Sequence, residues 1–356
     1  MIHMLRLYYS DPPKTENGRK QYDITNYVIG ATWSGDISQA ARKLEFSIAY
    51  NTADKDKSFN QINLLIGGFI RAADVEENQK TEIFSGRIFF RKRTTDSFKY
   101  EFTCYDDLIY LAKSNIRANI KNVDAKTAIE QTCNTIGMPV SENIPDMSTV
   151  VNFIADDKSG TEVVKMILGY VKADTGKEYN ALCISGELTV VEKGETIDDY
   201  IASNYTNVIS SEHSESLEDM VNRVVAVNED GSVGQVYTET NDIRLYGPLQ
   251  KIYKMQPPKA GETVDNSKAA KALLKRTKEE SSLKAIGNIQ CISGYCIVVQ
   301  EEQLKGTFFI KSDIHSFENH MHTMSLTLEY MPEEKEEMNI KQSDQVEDAF
   351  ISSKEA

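Results

Sequence analysis

The chain has 356 residues, of which 40% are hydrophobic and 26% are charged, as in an ordinary soluble globular protein of two or three domains. Its 54 acidic and 40 basic residues give a formal net charge of −14, which argues against a surface that holds nucleic acid. An acidic wall would instead suit a passage through which nucleic acid slides without adhering.

No apolar run approaches the roughly 18 residues that a membrane-spanning helix needs, so we expect no direct membrane insertion. The first six residues contain no basic stretch followed by an apolar one, so we expect no signal peptide. These observations favour a protein that is made, or assembled, in a cytoplasm.

The five cysteines are odd in number and scattered along the chain, mostly at apolar positions of the sequence pattern. They are Cys104, Cys133, Cys183, Cys291 and Cys296. We expect free, buried thiols that pack as small hydrophobic side chains. Cys291 and Cys296 are five residues apart and would lie on opposite faces of a strand, which suits neither a disulfide nor a zinc site.

Three segments alternate apolar and polar residues without interruption: residues 44–50, 98–104 and 324–330. Side chains of a strand point to opposite faces with a period of two, so each segment predicts a strand with one buried and one wet face. Such alternation is typical of antiparallel sheets. Residues 1–113 contain six short strand-like segments and predict a first barrel-like β module.

Residues 114–205 differ in character and predict a small α+β domain. Asp124 is placed to cap a first helix, and the sequence from Ser159 to Glu162 forms a capping box for a second helix, which ends near Gly176. The second helix is expected to bury one face, made of Val163, Met166, Ile167, Tyr170 and Val171. A hairpin follows, with its turn at residues 185–186.

Residues 206–335 predict a second β module that also carries one long helix, from about residue 265 to residue 286. The last residues, 336–356, form an acidic segment with little apolar content, which we expect to be mobile. The predicted fold class is therefore mainly β, with two antiparallel β-barrel modules flanking the α+β domain.

Three histidines lie close together in the sequence: His315, His320 and His322, with Asp313 nearby. If His320 and His322 share a face of one strand, a metal shared between subunits is one interpretation. The simpler one is a set of histidines around a hairpin turn, and we expect no metal, cofactor or catalytic residue here.

Basic residues form two further candidate sites. Lys268, Lys271, Lys275 and Lys278 recur at helical spacing and predict either a surface for phosphate or an acidic partner, or a solvated helix face. Residues 91–93 read Arg-Lys-Arg at the end of a predicted strand, where charge discourages edge-to-edge pairing.

The sequence lacks the motifs of hydrolases, zinc proteases, P-loops and dinucleotide-binding folds, so we expect no enzymatic activity. A pair of carboxylates brought together by the fold, as in glycosidases, stays open as an alternative.

The order of blocks and several strings resemble the baseplate hub proteins of contractile phage tails, especially those of Gram-positive phages, defective prophages and phage-tail-like bacteriocins. The strings are GTFFIKSDIHSF at 306–317, HTMSLTLE at 322–329, YDDLIYL at 105–111 and LYGPLQKIY at 245–253. The resemblance covers residues 1 to about 332.

The resemblance implies a homotrimer in which two tail-tube-like barrels per chain form a ring of six. Such a ring would match a hexameric tail tube protein on one side and a trimeric spike protein on the other, within the baseplate of a virion or phage-tail-like particle. Tape-measure and baseplate wedge proteins are further implied partners, and DNA is implied only as cargo that passes through.

Two other functions stay open: a tail-associated cell-wall hydrolase and a carbohydrate-binding β module. A carbohydrate-binding module would need an exposed aromatic platform, for which the single tryptophan, Trp33, in a strand that looks buried, offers little.

Overall fold

The structure is a computed structural model that describes residues 4–12, 20–49, 62–76, 79–93, 99–228, 230–255 and 265–332. The chain forms two compact units, one of residues 1–211 and 282–356 and the other of residues 212–281. The acidic segment 336–356, predicted to be mobile, lies outside the described residues. None of the helices in the described ranges is long and apolar enough to cross a membrane.

The first part of the chain is built of strands. They are β1 (Met4–Ser10), β2 (Gln21–Asp23), β3 (Val28–Asp36), β4 (Lys43–Ala49), β5 (Phe69–Glu76), β6 (Gln79–Arg93) and β7 (Lys99–Tyr105). The alternation at 44–50 and 98–104 correctly predicts β4 and β7, although the outer residue of each segment lies outside the described ranges. Phe46 lies opposite Phe102 across this pair, and their rings stack with centroids 5.0 Å apart.

The α+β region follows. Its elements are α1 (Leu108–Lys113), β8 (Asn115–Asp124), α2 (Ala125–Asn134), β9 (Val150–Ser159), α3 (Gly160–Thr175), β10 (Tyr179–Ile184) and β11 (Glu187–Glu192). Both predicted caps are present: the Asp124 carboxylate accepts a bond of 2.9 Å from the Thr127 backbone N–H, and Ser159 and Glu162 form a reciprocal capping box. Helix α3 ends at Gly176, whose φ of 76° is left-handed.

The buried face of α3 is rotated from the one that the sequence predicts. Val163, Ile167 and Val171 are buried as expected, but Val164 and Leu168 complete the face, and Tyr170 is 40% exposed. Val164 and Leu168 belong to the apolar core that α3 shares with α1 and α2.

The remaining elements return mostly to strands. They are β12 (Thr196–Ser203), β13 (Val208–Ser216), β14 (Arg223–Val227), β15 (Val233–Thr238), α4 (Thr240–Tyr246), β16 (Gln250–Lys254), α5 (Asn266–Lys271), β17 (Lys278–Ile286), β18 (Cys296–Gln300), β19 (Lys305–Glu318) and β20 (Met321–Met331). The third alternating segment, 324–330, is correctly predicted as part of β20.

The long helix predicted over 265–286 is wrong. Helix α5 spans only six residues, and the chain continues as strand β17. Within β17 Leu283 and Ala285 are buried while Lys284 and Ile286 are exposed, so this half of the segment has the period of a strand.

The unit of residues 212–281 has its own small sheet, in which β14 pairs antiparallel with β15 and parallel with β16. Val224, Ala226 and Tyr237 of this sheet form a small core with Ala270 of α5.

The other unit contains a large sheet, mostly antiparallel, in which β20, β19, β3, β4, β7, β6, β5, β1 and β2 follow one another. Strand β18 pairs with β19 and, in parallel, with β12. The predicted mainly β class is confirmed. Within the described ranges no pairing joins the two ends of this order, so the ladder is open rather than closed into a ring.

Candidate functional site

A buried ion pair lies where the early strands meet the late ones. Strand β3 pairs with β19 in a register that runs from Asp36 opposite Ser312 to Gly30 opposite Glu318. Arg42 immediately precedes β4, and its guanidinium binds the Asp313 carboxylate of β19 through both terminal nitrogens, with Nη1 3.0 Å from Oδ1. Arg42 is 7% exposed and Asp313 is fully buried.

The ion pair is completed by Ser293, which lies in the loop before β18. Its backbone N–H donates to Asp313 Oδ1 at 2.6 Å, and its hydroxyl accepts from Arg42 Nη1 at 3.3 Å. A buried charge is stable only when partners replace its lost hydration, and a bidentate pair with an additional N–H donor provides them.

A second buried carboxylate, that of Asp106, binds the backbone of Arg42 rather than its guanidinium. It accepts the Arg42 backbone N–H at 2.9 Å and the Leu108 backbone N–H at 3.0 Å, and so fixes the end of β7 to the start of α1. Burial raises the pKa of Asp106 to about 7, against the lowering effect of these bonds and of the Arg42 charge.

Two histidines extend the network. His315 Nδ1 lies 2.9 Å from His322 Nε2, and His315 Nε2 lies 3.1 Å from the Cys291 carbonyl oxygen. Because a carbonyl only accepts, this arrangement assigns the proton to His315 Nε2, and His322 then donates to His315 Nδ1. Burial, aided by the Arg42 charge, lowers the pKa of His315 to about 4, so His315 is neutral near pH 7.

Aromatic rings enclose the network. The Arg42 guanidinium carbon lies 4.2 Å from the centre of the Trp33 ring, and the Trp33 and His315 ring centres are 5.0 Å apart. The His322 ring stacks on Phe317 at 4.2 Å. We call the polar network inside these rings the polar junction. Its members are Arg42, Asp106, Ser293, Asp313, His315 and His322.

The structure separates the three predicted histidines. His315 and His322 lie together inside the molecule, while His320 is exposed in the turn between β19 and β20, with a φ of 61°. The expectation that His320 and His322 share a strand face is therefore wrong. No group of three or more His, Cys, Asp or Glu side chains in the described part of the chain is placed to hold a metal ion.

The predicted basic sites are also dispersed. Lys268 and Lys271 lie in α5, whereas Lys278 lies in β17 and pairs with Glu280 at 2.7 Å. At the exposed end of β6, Arg91 donates to the Leu64 carbonyl at 2.9 Å. These contacts are those of solvated strand and helix surfaces.

The sequence contained a signal for the polar junction that its interpretation missed. From Asp313 onward the buried positions of β19 alternate, and Asp313, His315 and Phe317 occupy them. A charged residue at an inward position requires a buried partner. Arg42 lies 271 residues away, so sequence spacing could not identify it.

The fold is similar to that of a solved 43 kDa tail protein of prophage MuSo2 from Shewanella oneidensis. The TM-score is 0.63 at 11% identity, over 92% of this chain and 98% of that one. This similarity concerns the fold alone.

Two relatives from Bacillus subtilis (strain 168) match 254 residues each, which is 69% of this chain and 77% of theirs. One is the uncharacterized protein YqbQ, at 25% identity, and the other is the phage-like element PBSX protein XkdQ, at 23%. Residues 31–329 match the family model described as YQBQ-like. Since this match spans most of the sequence, the chain belongs to the YQBQ-like family.

Proposed function

We propose that the chain is the structural baseplate hub of a contractile tail or phage-tail-like bacteriocin. Three copies would form a ring that adapts a hexameric tail tube to a trimeric spike. Residues 1–113 and 206–335 would supply the two tube-like modules, and residues 114–205 would lie at the periphery, facing spike, tape-measure or wedge proteins. The segment 336–356 has no role in this proposal.

The observation that carries the proposal is the way in which early and late strands are joined. An adaptor that presents two modules per chain to a six-fold partner must hold them at one fixed angle. The register between β3 and β19 and the buried pair of Arg42 with Asp313 provide such a rigid connection. Two names support the proposal: one relative is a protein of the phage-like element PBSX, and the MuSo2 protein, which is similar in fold, is a tail protein.

The acidic balance of the chain supports a role in which DNA is cargo rather than ligand. A net charge of −14 repels phosphate, so a bore lined by this protein would not adsorb a passing genome. The particle could equally carry no genome, as a bacteriocin does.

The proposal is tested by producing the full chain alone and together with a candidate trimeric spike protein from the same genome. We expect light scattering to give a complex of three hub and three spike chains, and cryo-electron microscopy to show a ring with pseudo-sixfold symmetry. A chain that stays monomeric with the spike protein present contradicts the proposal. The same preparation should leave cell-wall substrate in a gel uncleared, and clearing would favour the hydrolase alternative.

A further inference from the structure

An open groove of about 630 Å³ lies in the unit of residues 212–281. One wall is the run 236–239 at the end of β15, and the other is formed by Lys271 of α5 and by residues 274–276. Successive side chains of a strand point to opposite faces, so a space that touches four residues in a row lies along the edge of the strand. We call it the β15 groove.

The edge of β15 at this groove is open to a further strand. Among the described residues, β15 is the outer strand of its sheet and pairs with β14 alone. The Glu239 backbone N–H donates to the Asn222 carbonyl oxygen at 2.9 Å, on the β14 side. Backbone groups of neighbouring residues in a strand point to opposite sides, so those of Val236 and Thr238 point away from β14. An edge of this kind is a template for another polypeptide.

Three cations line the groove, Lys271, Lys275 and Arg276, and all three are exposed. Lys271 Nζ lies 5.8 Å from the centre of the Tyr237 ring, which places its charge at the β15 wall. Within the described ranges none of the three cations has an ion-pair partner. Glu239 is the acidic residue of the wall, so the groove is positively charged in a chain whose net charge is −14. Such a surface selects an acidic partner.

Apolar side chains complete the groove. Val236 is 37% exposed and Leu274 is half-buried. A ligand that fits therefore has an extended backbone with both acidic and apolar side chains. A nucleic acid would match the cations, but its sugar-phosphate backbone has no N–H groups to donate to the carbonyl oxygens of a strand edge. The groove favours a polypeptide.

The chain itself contains a segment with these properties. Residues 344–351, which lie outside the described residues, read DQVEDAFI and contain three acidic and no basic side chains. In an extended strand Asp344, Val346, Asp348 and Phe350 share one face, so acidic and apolar side chains alternate along it. Residues 333–343 span up to about 40 Å when extended, which lets this segment reach a neighbouring molecule.

We propose that the β15 groove binds residues 344–351 of a second copy of this chain as an added strand. The open edge of β15 supplies the backbone hydrogen bonds, and the three cations of the groove pair with the three carboxylates of the segment. The inference rests on the proposed function in one respect, because a ring keeps neighbouring copies side by side.

Photochemical cross-linking of the full chain tests the contact and its source. Equal amounts of ¹⁵N-labelled and unlabelled chain, each carrying Val236→p-benzoylphenylalanine, are mixed before the spike protein is added. We expect mass spectrometry to find cross-links from position 236 to residues 344–351, about half of them joining a labelled to an unlabelled chain. The same probe at Leu245, which is 66% exposed and outside the groove, should give none. Cross-links that never join the two isotopes, or none at all, would overturn the proposal.

Charge exchange tests the pairing, with the probe kept at position 236. Lys275→Glu should reduce the cross-link yield at least tenfold, and adding Asp348→Lys should restore it. Arg276→Glu with Glu347→Lys is a second such pair, in case one variant folds poorly. Lys251→Glu, at an exposed position of β16 outside the groove, is the matched control and should leave the yield unchanged. A folded Lys275→Glu variant with full yield would contradict the assignment.

A peptide arm separates this inference from the proposed ring. The full chain with Asp344→Asn, Glu347→Gln and Asp348→Asn has a vacant groove and should bind a fluorescent peptide of residues 341–353 in fluorescence anisotropy. The peptide with the same three replacements should bind at least tenfold more weakly. An oligothymidine of eight nucleotides that binds as tightly as the acidic peptide would overturn the choice of a polypeptide. No peptide binding by a chain that still forms the ring would overturn the docking site alone, while peptide binding by a chain that stays monomeric with the spike protein would overturn the ring alone.

Discussion

In the α+β region, helices α2 and α3 pack against β8 and β9 through buried apolar side chains such as Ile129 and Ile167. In the polar junction, β19 is held to the loop before β4 by a buried guanidinium and carboxylate. Apolar packing degrades gradually when one side chain is trimmed, because its neighbours partly relax. A buried ion pair fails as a unit, since loss of either partner leaves the other charge unpaired. The α+β region should therefore tolerate change, while the polar junction should fix geometry.

The largest effect expected on either side of this comparison is that of Asp313→Ala. It leaves the Arg42 guanidinium buried without its carboxylate, and we expect a loss of about 3–5 kcal/mol in the free energy of unfolding. Denaturant unfolding measures the loss. Glu192→Ala removes the exposed pair with Lys177 and should cost less than about 1 kcal/mol. Equal losses from the two variants would contradict the distinction.

Ile129→Ala probes the apolar side of the comparison. Ile129 is fully buried in α2, and its truncation removes apolar contacts and leaves a cavity. We expect a loss of about 2–5 kcal/mol. Ile129→Val removes only one methyl group and should cost about 0.5–1.5 kcal/mol, so the valine variant keeps most of the stability that the alanine variant loses. A valine variant as unstable as the alanine variant would contradict the gradual response expected of apolar packing.

The pH dependence of stability separates the two regions further, because His315 belongs to the polar junction. Its folded pKa of about 4 lies below the unfolded value of 6.5, so the unfolded chain binds the proton more readily between these values. Stability from this group is present above pH 6.5 and is lost as the pH falls to about 4, a loss of about 3 kcal/mol.

Asp106 opposes this trend over part of the range, because burial raises its pKa to about 7. The comparison is therefore made between the wild type and His315→Gln at each pH. We expect the stability advantage of the wild type to shrink as the pH falls from 6.5 to 4. His320→Gln, at an exposed position, should show no such change.

Apart from the exposed control at Glu192, the smallest effect expected is that of Ser159→Ala. It removes the capping box of α3, in which the serine hydroxyl accepts the Glu162 backbone N–H at 3.3 Å. We expect a loss of about 1 kcal/mol, measured by thermal or denaturant unfolding. Ser159→Asp should restore most of it, because aspartate also caps helices well. A loss as large as that of Ile129→Ala would contradict the local role.

Features that depend on neighbours in the sequence could be predicted. The period-two pattern predicted β4, β7 and β20, and the cap at Asp124 and the box at Ser159 predicted where α2 and α3 begin. The prediction failed at residues 278–286, where charge spacing suggested a helix although the buried positions alternate.

Contacts between distant residues could not be predicted. Nothing near Arg42 in the sequence indicates Asp313, 271 residues further along the chain, as its partner. Such sites arise only when the sheet brings separate segments together, so periodicity and motif spacing carry no record of them.

The pairing of β3 with β19 also means that β3 must wait during translation for a partner strand that is made much later. The ribosome makes β3 nearly three hundred residues before β19, and at 5–20 residues per second the delay is roughly 15–50 s. During that time one edge of β3 has unsatisfied backbone groups that invite pairing with other nascent chains. Translation speed and chaperone supply should therefore govern the soluble yield of this protein more than its final stability does.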